Sequence, residues 1–131
     1  MTTPPRVTGI GGVFFKVRDP AVLGEWYRTH LGIDVQDGGF AVFRWRDEKD
    51  PEREGATVWS LFPEDTEYFG ATAQRAMINY RVTDLDAVLA ALRREGVTVD
   101  ERIEETPEGR FGWITDGEGH RIELWQPPPG R

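Results

Sequence analysis

The sequence predicts an α+β fold of two tandem βαβββ modules forming a half-open, mixed-sheet barrel. Three observations lead there. First, the second half of the 131-residue chain repeats the first. Val17-Arg18-Asp19-Pro20-Ala21-Val22-Leu23 matches Val82-Thr83-Asp84-Leu85-Asp86-Ala87-Val88-Leu89, and Gly32-Ile33-Asp34-Val35 matches Gly96-Val97-Thr98-Val99. Second, Glu54-Gly55-Ala56-Thr57-Val58-Trp59 through Pro63 aligns with Glu118-Gly119-His120-Arg121-Ile122-Glu123 through Pro127 at nearly the same offset. Third, each copy moves from period-2 apolar alternation to period-3.6 spacing and back, the signature of strand, helix and further strands.

Gly9 to Arg18 reads as the first strand, with Val13, Phe15 and Val17 on one face and Gly12, Phe14 and Lys16 on the other. Asp19 then caps a helix that has Pro20 in its first turn, because a short acceptor side chain satisfies orphan N–H groups and proline needs none. The helix carries an apolar face of Val22, Leu23, Trp26, Tyr27 and Leu31 and stops at Gly32. Short strands follow at Ile33 to Gln36, at Phe40 to Arg46 after a Gly38-Gly39 turn, and at Ala56 to Phe62. The second copy reads as a strand from Ala76 to Val82, a helix from Leu85 to Glu95, and strands at Val97 to Arg102, Phe111 to Thr115 and Arg121 to Trp125.

We therefore expect a single domain over residues 1–131, with module one at about 9–63, a linker at 64–74 and module two at about 75–127. The copies differ in one turn. Module two spends Asp116-Gly117-Glu118-Gly119, whereas module one spends Asp47 to Gly55, a charged run read as a solvated hairpin tip with a lid as the alternative. Pro127 to Arg131 should be an extended tail.

Composition narrows the function. A net charge of −7 opposes nucleic-acid binding, which needs a positive field to release counterions. With no cysteine, disulfides, thiolate metal sites and cysteine nucleophiles are excluded. The start of the chain has no apolar leader, and nothing approaches the roughly 20 apolar residues of a membrane helix. A cytoplasmic protein without membrane or nucleic-acid partners is the expectation. Five tryptophans point to aromatic walls in a pocket or an interface. Gly-rich phosphate loops, G-x-S-x-G and H-E-x-x-H are all missing, and Ser60 is the only serine.

The paired modules, with V-R-D-P opening the first helix and D-G-E-G-H-R-I-E-L-W near the end, resemble the vicinal oxygen chelate superfamily. This glyoxalase-like group includes glyoxalase I, extradiol dioxygenases, methylmalonyl-CoA epimerase and the metal-free bleomycin-binding proteins. The resemblance runs from about Gly9 to Gln126 and implies a concave face that holds a small molecule. In the metal enzymes a His stands seven residues before the capping Asp, and a Glu stands on the last strand of a module. Those positions here are Gly12, Met77 and Glu123, with Trp59 as the repeat equivalent of Glu123. A catalytic divalent ion wants about three suitable ligands. Glycine offers none, a thioether is soft, and an indole N–H has no lone pair to give. His30 falls at a helix end, and His120 faces away from Glu123 on a regular strand. No metal and no other cofactor is therefore expected, a divalent ion being the alternative.

Alternation places Glu123 with Arg121 and Trp125 on the concave face. Glu123 reads either as a metal-free general base or hydrogen-bond acceptor, or as a carboxylate paired with Arg81, Arg121 or another residue of the concave face. Phe14, Trp59, Met77 and Trp125 read as the walls of a pocket or as a collapsed core. Lys16 and Arg81 are repeat equivalents, with Asn79 between Met77 and Arg81, and they read as holders of an anionic oxygen or as surface cations. Tyr68 and Phe69 read as a cap on the cleft or as packing at the junction.

The leading expectation is a binder of a small apolar or aromatic molecule in the concave cleft, contacted by Phe14, Trp59, Met77, Asn79, Arg81 and Trp125. The alternative is a lyase, isomerase or dioxygenase-like enzyme using Glu123 or an atypical metal site. An interaction module is a third reading. The resemblance also implies a homodimer.

Overall fold

The computed structural model describes residues 6–70 and 73–129. The readings made for Met1 to Pro5, for Ala71 and Thr72 in the linker, and for the last two residues of the tail lie outside these. The elements are β1 (Val7–Val17), α1 (Pro20–Leu31), β2 (Phe40–Arg46), β3 (Glu54–Pro63), β4 (Ala76–Val82), α2 (Leu85–Arg94), β5 (Thr98–Thr106), β6 (Gly109–Thr115) and β7 (Arg121–Gln126). The strands form a seven-stranded sheet in the order β2-β3-β1-β4-β7-β6-β5. Within it β1/β3 and β4/β7 are parallel and β2/β3, β5/β6 and β6/β7 antiparallel. With β2 and β5 as free edges, this α+β fold is a mixed sheet that does not close into a barrel. None of the described helices is long and apolar enough to cross a membrane. The chain separates into two compact units, Gly12–Met77 and the remainder, in which the residues up to Gly11 join Ile78 onward.

In the unit Gly12–Met77, the Asp19 carboxylate accepts from the N–H groups of Ala21 and Val22 at 3.1 Å, and Pro20 opens α1 as expected. Gly32, at φ 67°, supplies the left-handed stop. Register pairs Val13 with Trp59 and Phe15 with Leu61, so these four share a face, and α1 lies on it through Tyr27. The predicted apolar stripe of α1 is only half used. Leu23 and Tyr27 are partly buried, whereas Val22, Trp26 and Leu31 are exposed.

The expected strand Ile33–Gln36 shrinks to a single bridge between Gln36 and Phe40. Two local bonds explain this. Val35 N–H donates to the Ile33 carbonyl at 2.8 Å, and the Val35 carbonyl accepts from Arg28 Nη2 at 2.6 Å, so neither group is left for a ladder. The charged run after β2 is a hairpin tip closed by Asp47 N–H to the Arg53 carbonyl at 2.9 Å.

In the other unit the Asp84 side chain accepts from Ala87 N–H at 3.1 Å to cap α2. The helix buries Leu85, Val88 and Leu89 against Val82 and Leu124, with Tyr80, Ile114 and Ile122 packed around them. Each buried leucine contributes roughly 1.5–3 kcal/mol. Ion pairs at the rim, Arg6–Glu95 at 2.6 Å and Arg110–Asp86 at 3.0 Å, are exposed and contribute little by comparison. Packing of α2 uses up one face of β4, β7 and β6. Everything of opposite parity on those strands is left for the other face.

The turn between β6 and β7 carries a pH prediction. His120 N–H, and then Glu118 N–H, donate to the Asp116 carboxylate at 2.9 Å, and His120 Nδ1 lies 2.9 Å from its second oxygen. These bonds, the backbone one from His120 foremost, hold Asp116 below its ordinary value of 3.8. A lowered folded value means that the turn's stabilisation is complete above the unfolded value and disappears as pH falls through the folded one. Acid titration by NMR should therefore show the Asp116 carboxyl shifting below pH 3.8. A midpoint at or above the ordinary value would contradict it.

Candidate functional site

On the helix-free side of β4, β7 and β6, backbone register lines side chains up in rows. Asn79 pairs with Glu123 across β4/β7, and Glu123 pairs with Trp113 across β7/β6. Directly opposed residues share a face, so the three stand abreast. Asn79 Nδ2 donates to Glu123 Oε1 at 2.6 Å, and Trp113 Nε1 donates to Glu123 Oε2 at 2.9 Å. Glu123 is 0% exposed and Trp113 2% exposed. An N–H donated to each oxygen offsets the cost of burying this carboxyl group.

The next row is Arg81, Trp125 and Phe111. The Arg81 guanidinium lies 5.0 Å from the centre of the Trp125 ring, and Trp125 stacks on Phe111 at 6.1 Å with an angle of 5° between the planes. Trp125 Nε1 donates to the Glu108 carbonyl at 2.8 Å, which fixes the indole. On the far side of Trp113, Arg102 and Arg121 stand 5.5 and 5.3 Å from its ring centre. Arg121 meets Asp100 at 3.3 Å. The Arg102 backbone N–H, followed by the Arg121 side chain, pulls the Asp100 carboxyl below its ordinary range.

Gly11 on β1 belongs to the same unit and faces these rows. A Cβ there would collide with Asn79 Oδ1 and sit 2.9 Å from Trp125 Cε3. We expect Gly11→Ala to lower unfolding stability by about 1–3 kcal/mol through overpacking. Urea denaturation measures it, and a change under about 0.5 kcal/mol would mean that the rows are not held this tightly.

Of the sequence candidates, Asn79, Arg81, Glu123 and Trp125 come together here. Arg81 and Glu123 lie in adjacent rows of a mixed polar and aromatic patch, and Glu123 accepts hydrogen bonds from Asn79 and Trp113. Sequence reasoning missed Trp113 and Phe111. Counting outward equally from the expected Asp116–Gly119 turn would set Trp113 opposite Ile122; the Asp116 N–H to His120 carbonyl bond shifts the register by one and sets it opposite Glu123.

Phe14 lies in the unit Gly12–Met77, on that unit's helix-free face, 5.4 Å from Phe62 and 6.3 Å from Tyr68 between ring centres. Tyr68 stacks on Phe62, Phe69 packs edge-on against it, and Lys16 Nζ stands 5.2 Å from the Phe69 ring centre. Met77 is buried. Trp59 requires a correction. Its ring contacts Phe15 at 5.5 Å and Tyr27 of α1 at 4.9 Å, so it lies on the helix-bearing face and not beside Phe14. The physical reason is strand parity. Phe14 pairs with Ser60 as Asn79 pairs with Glu123, so Ser60 is the register equivalent of Glu123, one residue past Trp59.

The metal positions implied by the resemblance can be tested one by one. A Cβ at Gly12 would lie 2.6 Å from Cζ of Phe14, so the ring occupies the direction in which a ligand side chain would leave the backbone. Met77 presents a thioether, and both Glu123 oxygens already accept N–H groups. Among the described residues, no group of three or more His, Cys, Asp and Glu side chains is arranged to hold a metal ion. The residues present do not fit the group.

Comparison with known proteins supports the architecture. No curated protein matches the chain. Among solved structures, methylmalonyl-CoA epimerase from Mycobacterium tuberculosis is 27% identical with a TM-score of 0.63, covering 98% of this chain and 94% of that one. A Streptomyces coelicolor methylmalonyl-CoA epimerase variant in complex with 2-nitronate-propionyl-CoA is 23% identical with a TM-score of 0.66, covering 90% and 96%. The NAD-dependent benzaldehyde dehydrogenase from Legionella pneumophila is 17% identical with a TM-score of 0.58, covering 87% and 96%. The glyoxalase-like domain matches residues 12–125, nearly the whole of both repeats. The chain belongs to this glyoxalase-like family of the vicinal oxygen chelate superfamily.

Proposed function

We propose that the chain is a binding protein for a small organic molecule with an apolar or aromatic body and an anionic group. The ligand is held at the helix-free face of the unit that contains β4, β6 and β7. The observation that carries this reading is the Arg81–Trp125–Phe111 row. It sets a guanidinium that is 6% exposed over a stacked indole that is 7% exposed, so the row offers a ligand a charged group and an aromatic ring inside the fold and not on its outer surface. Asn79 and Glu123 form its polar neighbour. Within the unit Gly12–Met77, Phe14 and Met77 are candidate ligand contacts, and Trp59 is not, because Tyr27 of α1 packs against it.

The test is a titration of intrinsic Trp fluorescence against aromatic carboxylates, acyl thioesters and their neutral analogues. Saturable quenching by the acids is expected, weakened about tenfold or more in Arg81→Met. A flat response to every compound would remove the proposal. Light scattering tests the homodimer implied by family resemblance, for which a mass of one chain would be the contrary result.

A second reading has its own support. The M. tuberculosis epimerase likeness extends over 98% of the chain at 27% identity, which favours an enzyme that removes a proton from carbon beside a thioester and returns it. Glu123 would be the acid/base. Incubation with methylmalonyl-CoA in D2O separates the readings. Deuterium appearing at that carbon, and lost in Glu123→Gln, makes the chain an enzyme of this kind, and no incorporation removes this epimerase reading.

A further inference from the structure

We propose that Glu123, at the position where metal enzymes of this fold carry a chelating Glu, has become the acceptor of a hydrogen-bond bracket, and that the chain takes up no divalent ion there. Ligand binding at the Arg81–Trp125 row does not depend on this, so the two proposals fail separately. Three independent features converge on it. The first is the bracket itself. Asn79 and Trp113, the two register partners of Glu123 on the flanking strands, each place an N–H on a different oxygen. An ion entering at those oxygens has to share each of them with a buried N–H donor already in place, which takes one lone pair per oxygen and lowers their capacity as ligands.

The second is the missing ligand set. Phe14 lies over Gly12, and Met77 supplies only soft sulfur. Ser60, the register equivalent of Glu123, supplies a neutral hydroxyl. A carboxylate alone falls short of the three or so ligands a divalent ion requires. The third is charge. Arg81 and Arg121 share the face of β4 and β7 with Glu123, and Arg121 is drawn toward Trp113, the same indole that donates to the carboxylate. Two guanidinium groups thus stand on the face where an ion would approach, Arg121 being paired with Asp100.

Paramagnetic NMR on the wild-type chain tests the bracket without relying on a variant to fold. The Trp113 indole N–H, assigned by its loss in Trp113→Phe, sits on the Glu123 oxygen that a metal would take. We expect its resonance to keep its full intensity when equimolar Mn2+ is added. Loss of that signal at substoichiometric Mn2+, ahead of every other indole N–H signal, would overturn the proposal. Equilibrium dialysis against Mn2+, Co2+, Ni2+ and Zn2+ with elemental analysis gives the second readout, with under about 0.1 equivalent expected. About one equivalent that disappears in Glu123→Gln also overturns it. Metal that persists in Glu123→Gln is bound elsewhere and agrees with the proposal.

Discussion

Trp113→Ala is expected to lower the unfolding free energy by about 3–5 kcal/mol, measured by urea denaturation. The ring is 2% exposed, so truncation opens a large cavity between β7 and β5. It also takes the Nε1 donor from Glu123 and the aromatic surface from Arg102 and Arg121. Trp113→Phe separates these contributions. It keeps most of the volume but removes the donor, for an expected cost of about 1–3 kcal/mol. A Trp113→Ala loss below about 1 kcal/mol would mean that the side chain is neither packed nor bonded as described.

Glu123→Ala is the second large effect, at about 2–5 kcal/mol, because it strands two buried N–H donors at once. The informative control is Glu123→Gln, which has the same shape. A carboxylate offers an acceptor to both Asn79 and Trp113, whereas an amide offers one oxygen and turns an NH2 toward the other donor. Glu123→Gln should therefore still cost about 1–3 kcal/mol. Combined with Trp113→Phe it should cost less than the sum of the single changes, since with the indole gone the amide oxygen serves Asn79 and its NH2 no longer faces a donor. Strict additivity, or a neutral Glu123→Gln, would argue that the carboxylate is not bracketed.

Much of this arrangement was legible in the residues. Asp19 with Pro20, Asp84, Gly32 and Gly96 mark helix ends by capping chemistry that is local, and alternation from Glu123 to Trp125 assigns a face without any tertiary knowledge. Parity failed where the offset between copies was carried over without adjustment. Trp59 aligned with Glu123 by repeat length, yet pairing is decided by which residue of β3 meets Phe14 of β1, and that residue is Ser60. A slip of one residue moves a side chain to the opposite face of a sheet.

The strand expected at Ile33–Gln36 was lost for a different reason. Arg28, seven residues upstream of Val35, captures a carbonyl that propensity alone would assign to a ladder. The part played by Trp113 depended on the β6/β7 register. That register follows from the length of the turn at Asp116, and hydrophobicity does not reveal it. Chain-wide acidity gave no hint of the site, since the charge of −7 coexists with Arg81, Arg102 and Arg121 beside the tryptophans.

The most direct measurement is isothermal calorimetry of chelator-treated protein against an aromatic carboxylate identified in the fluorescence panel, repeated with Mn2+ or Zn2+ added back and with Arg81→Met. A metal-free binder with Arg81 as its anion contact predicts saturable one-to-one binding after chelation, unchanged by added metal and about tenfold or more weaker in Arg81→Met. Binding that vanishes with the chelator and returns with the ion, or that is indifferent to Arg81, would contradict it.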